Sequence, residues 1–148
     1  MDSITHFGFT YTVETMHTGA VIDRSVDCNL IPIEGLNHLT GVTLKGETQI
    51  TSWYAGLFKG AYTPVPSDTA ATFPTAAREC TAYSGDCKVL TLGAIVDGAV
   101  DNSAVRAEFT GTTDGEVITG GFVSSAVTKG ATTGVLISAV RFTSPKTL

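Results

Sequence analysis

The sequence predicts an all-β fold, an antiparallel β-sandwich or jelly roll with one or two short helices. Charged residues make up 16% of the chain against 43% hydrophobic residues, and glycine and threonine are frequent, a composition that favours strands joined by tight turns. Seven or eight short apolar or alternating runs follow one another at near-regular spacing, as in β-sandwiches. At 148 residues without an internal repeat, the chain fits a single domain over residues 1–148, with residues 1–12 as a candidate N-terminal arm.

Two strands are predicted before residue 33. Alternate positions from Phe7 to Val13 are apolar and the positions between them are glycine or threonine, a period of two that indicates a half-buried strand. Segment 21–33 mixes apolar and polar residues and contains a second strand that ends near Pro32.

A helical period replaces the alternation after Pro32. Gly41 weakens this helix without ending it. One short amphipathic helix is therefore predicted over residues 33–44, on residues at helical spacing: Ile33, Leu36, Leu39 (or Thr40) and Thr43.

The central segment 51–83 combines a strand, a loop and a short helical turn. The apolar run 53–58 is too short for an independent helix and predicts a buried strand. Prolines then mark a loop, because they lack the backbone donor that a central strand needs. Asp68 is predicted to cap a helical turn over residues 69–71, which Pro74 limits to one or two turns.

The last third of the chain is predicted to be strand upon strand. Short apolar runs at 89–92 and 95–100 flank Gly93, and the alternation over 103–110 gives one apolar and one charged face. Further strands are expected over 116–125 and 135–142, with turns at the Asp-Gly pairs 97–98 and 114–115.

The histidines and carboxylates carry no pattern of a catalytic or metal site. His6, His17 and His38 lack the ligand spacing of a known metal motif, and no nucleophile elbow or phosphate-binding glycine loop occurs. A calcium site on the oxygen-bearing residues Asp97, Asp101 and Asn102 is weighed against a solvated hairpin turn, which is favoured. We expect no enzyme activity and no cofactor.

Charge and cysteine usage limit the possible partners. The formal net charge is −5 and no cluster of basic residues occurs, so we expect no nucleic-acid partner. No apolar run approaches the ~20 residues of a membrane span, and we expect no membrane association. The N-terminus lacks the features of a secretory signal, and the three cysteines are expected to be free thiols in a reducing cytosol.

Three stretches of the chain resemble one protein family. The first is segment 51–83, which contains WYAGLF, the DTAATF turn and ECTAY. The second is segment 21–50, and the third is segment 120–142, GGFVSSAVTKGATTGVLISAVRF. Together they are similar, in order and over most of the chain, to small head proteins of tailed bacteriophages, the cement or decoration proteins encoded beside the major capsid protein. The resemblance implies a jelly-roll-like fold. The sequence departs from the family where a final alternating strand is expected after the SPKTL tail, because the chain given ends at Leu148.

The resemblance implies a structural virion protein, made in the bacterial cytoplasm, that binds the capsid exterior and stabilises contacts between major capsid subunits. Its partners would be the major capsid protein and copies of itself, as a dimer or trimer. One alternative is a phage tail or head-fibre attachment module. Another is a carbohydrate-binding jelly roll in which Trp53 or Tyr54 stacks on sugar rings.

Aromatic residues supply the candidate contacts. Large aromatics on loops or at a chain end often anchor partners, although they can equally fold back onto their own sheet. The candidates for a capsid or subunit interface are His6, Phe7, Phe9, Tyr62 and Phe73. The residues expected in the core are Trp53, Leu57, Phe109, Phe122 and Leu136.

Overall fold

A computed structural model describes residues 7–148 of the chain. Its strands form a four-stranded antiparallel sheet in the order β4-β3-β5-β6 and a separate β1-β2 ribbon. This confirms the prediction of a mainly antiparallel β fold with two short helices, although six strands are present in the described residues instead of seven or eight. The elements are β1 (Thr10–His17), β2 (Ala20–Cys28), α1 (Ile33–Lys45), β3 (Tyr54–Phe58), α2 (Phe73–Ala76), β4 (Lys88–Val89), β5 (Val117–Ser124) and β6 (Leu136–Thr147).

The β1-β2 ribbon packs on one face of the four-stranded sheet and makes the second layer. Thr18 and Gly19 both have positive φ, which is the geometry of a two-residue hairpin turn. Tyr11 donates a hydrogen bond to Ser138 Oγ at 2.8 Å, and Asp27 Oδ1 accepts one from the Thr143 N–H at 2.9 Å. These bonds join both strands of the ribbon to β6.

The sheet carries a buried cluster on each face because side chains alternate along its strands. The neighbours Leu57 and Phe58 belong to different clusters. Glycines leave room for the rings, since a Cβ at Gly120 would collide with Phe58 and one at Gly56 with Phe122. The first cluster contains Phe58, Ala70, Phe73, Ala77, Cys87, Phe122, Leu136 and Ala139, and the second contains Leu57, Cys80, Tyr83, Ile118, Val140 and Phe142.

The predicted helix forms as α1, but the face that packs against the sheet carries glycines and not the predicted aliphatic residues. Its buried residues are Gly35 and Gly41, whereas Ile33 and Leu36 remain exposed. At Gly35 the helix backbone approaches β6 so closely that an added Cβ would lie 2.9 Å from the Ile137 Cα. The expectation of an inward apolar stripe was wrong, because close backbone contact needs glycine on the inner face and turns the large aliphatic side chains outward.

The loop after β3 differs from the prediction at Asp68. The Asp68 carboxylate accepts hydrogen bonds from the Tyr62 hydroxyl at 2.5 Å and the Val65 N–H at 2.8 Å, so it stabilises a turn instead of capping a helix. The helix α2 begins later, with Thr72 as its N-cap and Pro74 in its first turn. A proline at that position does not interrupt the helix, because the N–H that it lacks has no partner within the helix.

Several predicted strands of the last third do not form. Of the two apolar runs between 89 and 100, only Val89 joins a strand, and the alternating segment 103–110 lies outside every strand. The alternation marks a segment able to form a strand, but the fold does not align it with a partner strand, and it joins neither sheet. The tight turn at 97–98 is confirmed by reciprocal backbone hydrogen bonds between Val96 and Ala99, both 2.9 Å.

The final strand β6 is longer than predicted and runs to Thr147. It accommodates Pro145 through a register shift against β5 between Ile118 and Gly120. None of the helices between residues 7 and 148 is long and apolar enough to cross a membrane.

Candidate interaction surfaces

The predicted interface residues separate into buried and exposed groups. Phe73 is 1% exposed in the first core cluster, and Tyr62 packs beside it at a ring distance of 5.9 Å. Phe73 therefore folds back onto its own sheet, so the expectation that it anchors a partner was wrong, whereas Tyr62 is only partly buried and stays a candidate. Phe7 is 74% exposed, and Phe9 is partly buried. His6 lies outside the described residues.

The candidate N-terminal arm is held to the domain over part of its length. The Phe9 N–H donates to the Asn29 side chain at 2.8 Å, and the Asn29 N–H donates back to the Phe9 carbonyl at 3.2 Å. Residues 10–12 pair with β2. Residues 9–12 therefore pair within their own domain and do not extend from it as a separate arm.

The residues expected in the core are buried to different extents. Leu57, Phe122 and Leu136 are buried, and Phe109 is partly buried with its ring 5.0 Å from that of Tyr83. Trp53 departs from the expectation because it precedes β3 and lies against α1. It is only partly buried, with its ring edge-on to His38 at 5.5 Å.

The outward side of α1 is the clearest exposed apolar feature. We call Ile33, Leu36 and Leu44 the helix surface; they are 53%, 46% and 78% exposed. The helix is held in this orientation by Glu34, whose Oε2 accepts hydrogen bonds from the Ala70 N–H at 2.8 Å and the Leu136 N–H at 2.7 Å. This orientation is thus fixed by contacts to two other parts of the fold.

Two further regions expose aliphatic side chains. The ribbon surface lies on β1 and β2 and consists of Met16, Val21, Ile22 and Val26, and the loop surface consists of Leu92, Ile95, Val96 and Val100; all eight are at least 44% exposed. Large exposed apolar patches mark interaction sites, whereas single exposed aliphatic residues are ordinary. Three separate elements of this small domain therefore expose aliphatic side chains, and on the ribbon these lie on both faces, because the neighbours Val21 and Ile22 point to opposite sides.

A buried polar cluster lies near the end of the first core, around Cys87. Its thiol is 3.8 Å from Glu79 Oε1 and 3.6 Å from the Tyr83 hydroxyl. Burial raises the pKa of the Cys87 thiol and of the Glu79 carboxyl, so the thiol is held in its unreactive protonated form. The adjacent gap is about 10 Å³, room for one water at most. The cluster therefore links residues of neighbouring loops through buried polar contacts.

Lys129 fixes the same cluster from outside. Its Nζ donates to the carbonyls of Thr81 and Tyr83 at 3.0 and 2.8 Å and lies 4.4 Å from the centre of the Tyr83 ring. Sequence reasoning missed Lys129 and Glu34, because a single charged residue carries no signal of which distant backbone groups it will bind.

No group of three or more potential metal ligands occurs within residues 7–148. At the calcium candidate, Asp101 Oδ1 accepts hydrogen bonds from the Ser103 N–H at 2.8 Å and from its hydroxyl at 2.5 Å. These bonds lower the pKa of Asp101, and they are those of a polar turn. The three cysteines are free.

Comparison of the chain with protein-family models, with curated proteins and with solved structures finds no match.

Proposed function

We propose that this protein is a non-enzymatic structural component of a tailed-phage virion, which binds the capsid exterior and stabilises contacts between major capsid subunits. The family resemblance of segments 21–50, 51–83 and 120–142 supports the phage context. The observation that carries the proposal is the helix surface, where a glycine-faced helix turns three large aliphatic residues outward.

A helix that served only its own domain would bury its aliphatic side chains. In α1 the inner face is occupied by Gly35 and Gly41, and the outer face carries Ile33, Leu36 and Leu44. This arrangement leaves apolar area exposed unless a partner covers it. For a cement protein, the capsid shell is such a partner, because the protein binds the shell through its own outer surfaces.

The free energy expected from burying the helix surface fits a contact that is repeated many times. Full burial of a leucine or isoleucine contributes about 1.5–3 kcal/mol, so covering the exposed parts of the helix surface contributes roughly 3–5 kcal/mol before the costs of association. A single contact of this free energy would give only weak binding, because association itself costs free energy. The ribbon and loop surfaces add further area, and repetition over a shell raises the effective affinity through avidity.

The proposal is tested by mixing the purified protein with expanded capsids formed by the major capsid protein encoded beside it. We expect co-sedimentation with the shells and a higher shell melting temperature. Leu36→Ser/Leu44→Ser should weaken binding about tenfold or more without unfolding the domain, since both side chains are solvent-exposed. Val117→Ser is the matched control, because Val117 is 50% exposed and lies outside the three surfaces.

Failure of the wild-type protein to bind any capsid form would overturn the capsid role. Equal loss of binding in the double variant and in the Val117 control would overturn the role of the helix surface. Binding to tails in place of shells would favour the attachment-module alternative. The carbohydrate alternative has less support, because Trp53 is partly covered by His38 and Tyr54 packs against the first core cluster.

A further inference from the structure

We propose that the outer edge of β4 accepts an extended peptide strand from a partner protein, a segment with apolar residues between basic ends. This goes beyond the capsid role, because it is tested with peptides and needs no shell.

The backbone of β4 has one residue whose hydrogen-bonding groups point outward. The Leu90 N–H donates to the Trp53 carbonyl at 2.8 Å, so Leu90 and Lys88 face β3. In an antiparallel ladder the residues between them face the opposite way. Cys87 fits this pattern, since its N–H donates to the Val127 carbonyl on the outer side at 3.0 Å.

Val89 therefore directs both its N–H and its carbonyl away from the sheet. Within residues 7–148 neither group has a backbone partner, because β4 pairs only with β3 and Val89 forms no other bridge. An unpaired donor and acceptor on one strand residue are the groups that an added antiparallel strand would bind. This selects an extended peptide over a helix or a small apolar ligand.

An open groove of about 430 Å³ lies beside this residue. Val89, Val105 and Val127 line it and are 55%, 52% and 43% exposed. The groove thus offers apolar contacts for side chains of a strand that pairs with Val89.

The charges around the groove favour a basic occupant. Of the two bases there, Arg106 pairs with Glu14, whereas the Lys88 ammonium donates to the neutral Ser84 carbonyl at 2.5 Å and keeps its charge. The acids Asp86 and Glu108 are exposed, and neither forms an ion pair with another residue of the described chain. The two carboxylates outnumber the single unpaired ammonium of Lys88, so the net charge at the groove is negative, which is complementary to lysine or arginine at the ends of the strand.

The test uses the capped peptide Lys-Val-Thr-Val-Lys and the ¹⁵N-labelled protein. We expect saturable shifts of the Val89 amide resonance and of resonances at 105–108. A peptide with an N-methylated central threonine should bind about tenfold more weakly, because it loses a hydrogen bond to the Val89 carbonyl. The peptide Glu-Val-Thr-Val-Glu should also bind several-fold more weakly, because its ends repel Asp86 and Glu108.

Protein variants test the same edge. Val89→Pro removes the outward N–H and is compatible with the β4-β3 ladder, as proline on edge strands is, so peptide binding should fall about tenfold. Val89→Thr keeps the N–H and should bind like the wild type. If Val89→Pro fails to fold, the affinity of the wild-type protein for the N-methylated peptide shows whether the peptide pairs with the Val89 backbone.

Three results would overturn the inference. The first is an unchanged Val89 amide at saturating peptide, and the second is equal affinity for the normal and N-methylated peptides. The third is a Val89 resonance that shifts with protein concentration alone, which would assign the edge to a second copy of this chain.

Discussion

Gly35→Ala is the sharpest test of how α1 is placed. An alanine Cβ at this position would lie 2.9 Å from the Ile137 Cα, 3.0 Å from the Ile137 carbonyl oxygen and 3.0 Å from that of Leu136. All three contacts are backbone atoms of β6, so no side-chain rotation relieves them. The helix must move away from the sheet, which also strains the two hydrogen bonds of Glu34.

The change in unfolding free energy expected for Gly35→Ala follows from two opposing effects. Replacing a helical glycine with alanine stabilises a helix by about 1 kcal/mol. Overpacking costs about 1–3 kcal/mol, and contact with rigid backbone places this site at the upper end. We expect Gly35→Ala to lower the free energy of unfolding by about 2 kcal/mol, and the melting temperature by about 4–8 °C for a chain of this size.

Gly41→Ala is the matched control within the same helix. Gly41 is also buried, but its added Cβ would meet only the side chain of Glu47, which is exposed and can rotate away. The propensity gain then dominates, and we expect a neutral or stabilising effect. Urea unfolding with equal m-values measures both variants. A Gly35→Ala protein as stable as Gly41→Ala would refute the close helix-sheet approach, and with it the reason for the exposed helix surface.

Two further predictions concern buried polar groups. Burial opposes ionisation of Asp27, but hydrogen bonds from the Thr143 N–H and hydroxyl outweigh it, so the pKa of Asp27 is lowered on folding. The stability that this carboxylate contributes is complete above the ordinary aspartate pKa and is lost as the pH falls through the lowered value. Asp27→Asn should therefore flatten the decline of unfolding free energy between about pH 5 and about pH 2, and an unchanged slope would contradict this assignment. The hydrogen bond to Asp68 raises the pKa of Tyr62 to about 12, so the Tyr62 ¹³Cζ resonance should still report a protonated phenol at about pH 11, where a tyrosine of ordinary pKa near 10 has ionised. Tyr62→Phe should cost about 1 kcal/mol in urea unfolding, and a variant of wild-type stability would show that this hydrogen bond contributes nothing net.

Local patterns in the sequence were sufficient for the elements whose formation depends on nearby residues. The apolar run 53–58 became β3, segment 116–125 became β5, and the helical spacing from Ile33 became α1. The turn at 97–98 also formed where the Asp-Gly pair predicted it, because such turns depend on the φ preferences of two residues.

The same patterns could not predict which partner each element meets. Alternation over 103–110 marks a segment able to form a strand, but a strand forms only where the folded chain aligns the segment with a partner, and this segment joins no ladder of the sheet. Phe73 was a candidate loop anchor, yet the loop folds its ring into the first core, with Tyr62 packed against it and partly exposed. The candidate surfaces were missed for the same reason, since exposure is a property of the packed chain.

The sequence by itself determined a β-rich chain with low charge, one central buried strand and one short helix, because composition and periodicity act over a few residues. Only the tertiary structure decided which side of that helix is buried. The choice depends on a backbone approach between Gly35 and Ile137, residues 102 positions apart, and on whether a Cβ fits between them. That long-range contact places the aliphatic residues of α1 in solvent, where the proposed function needs them.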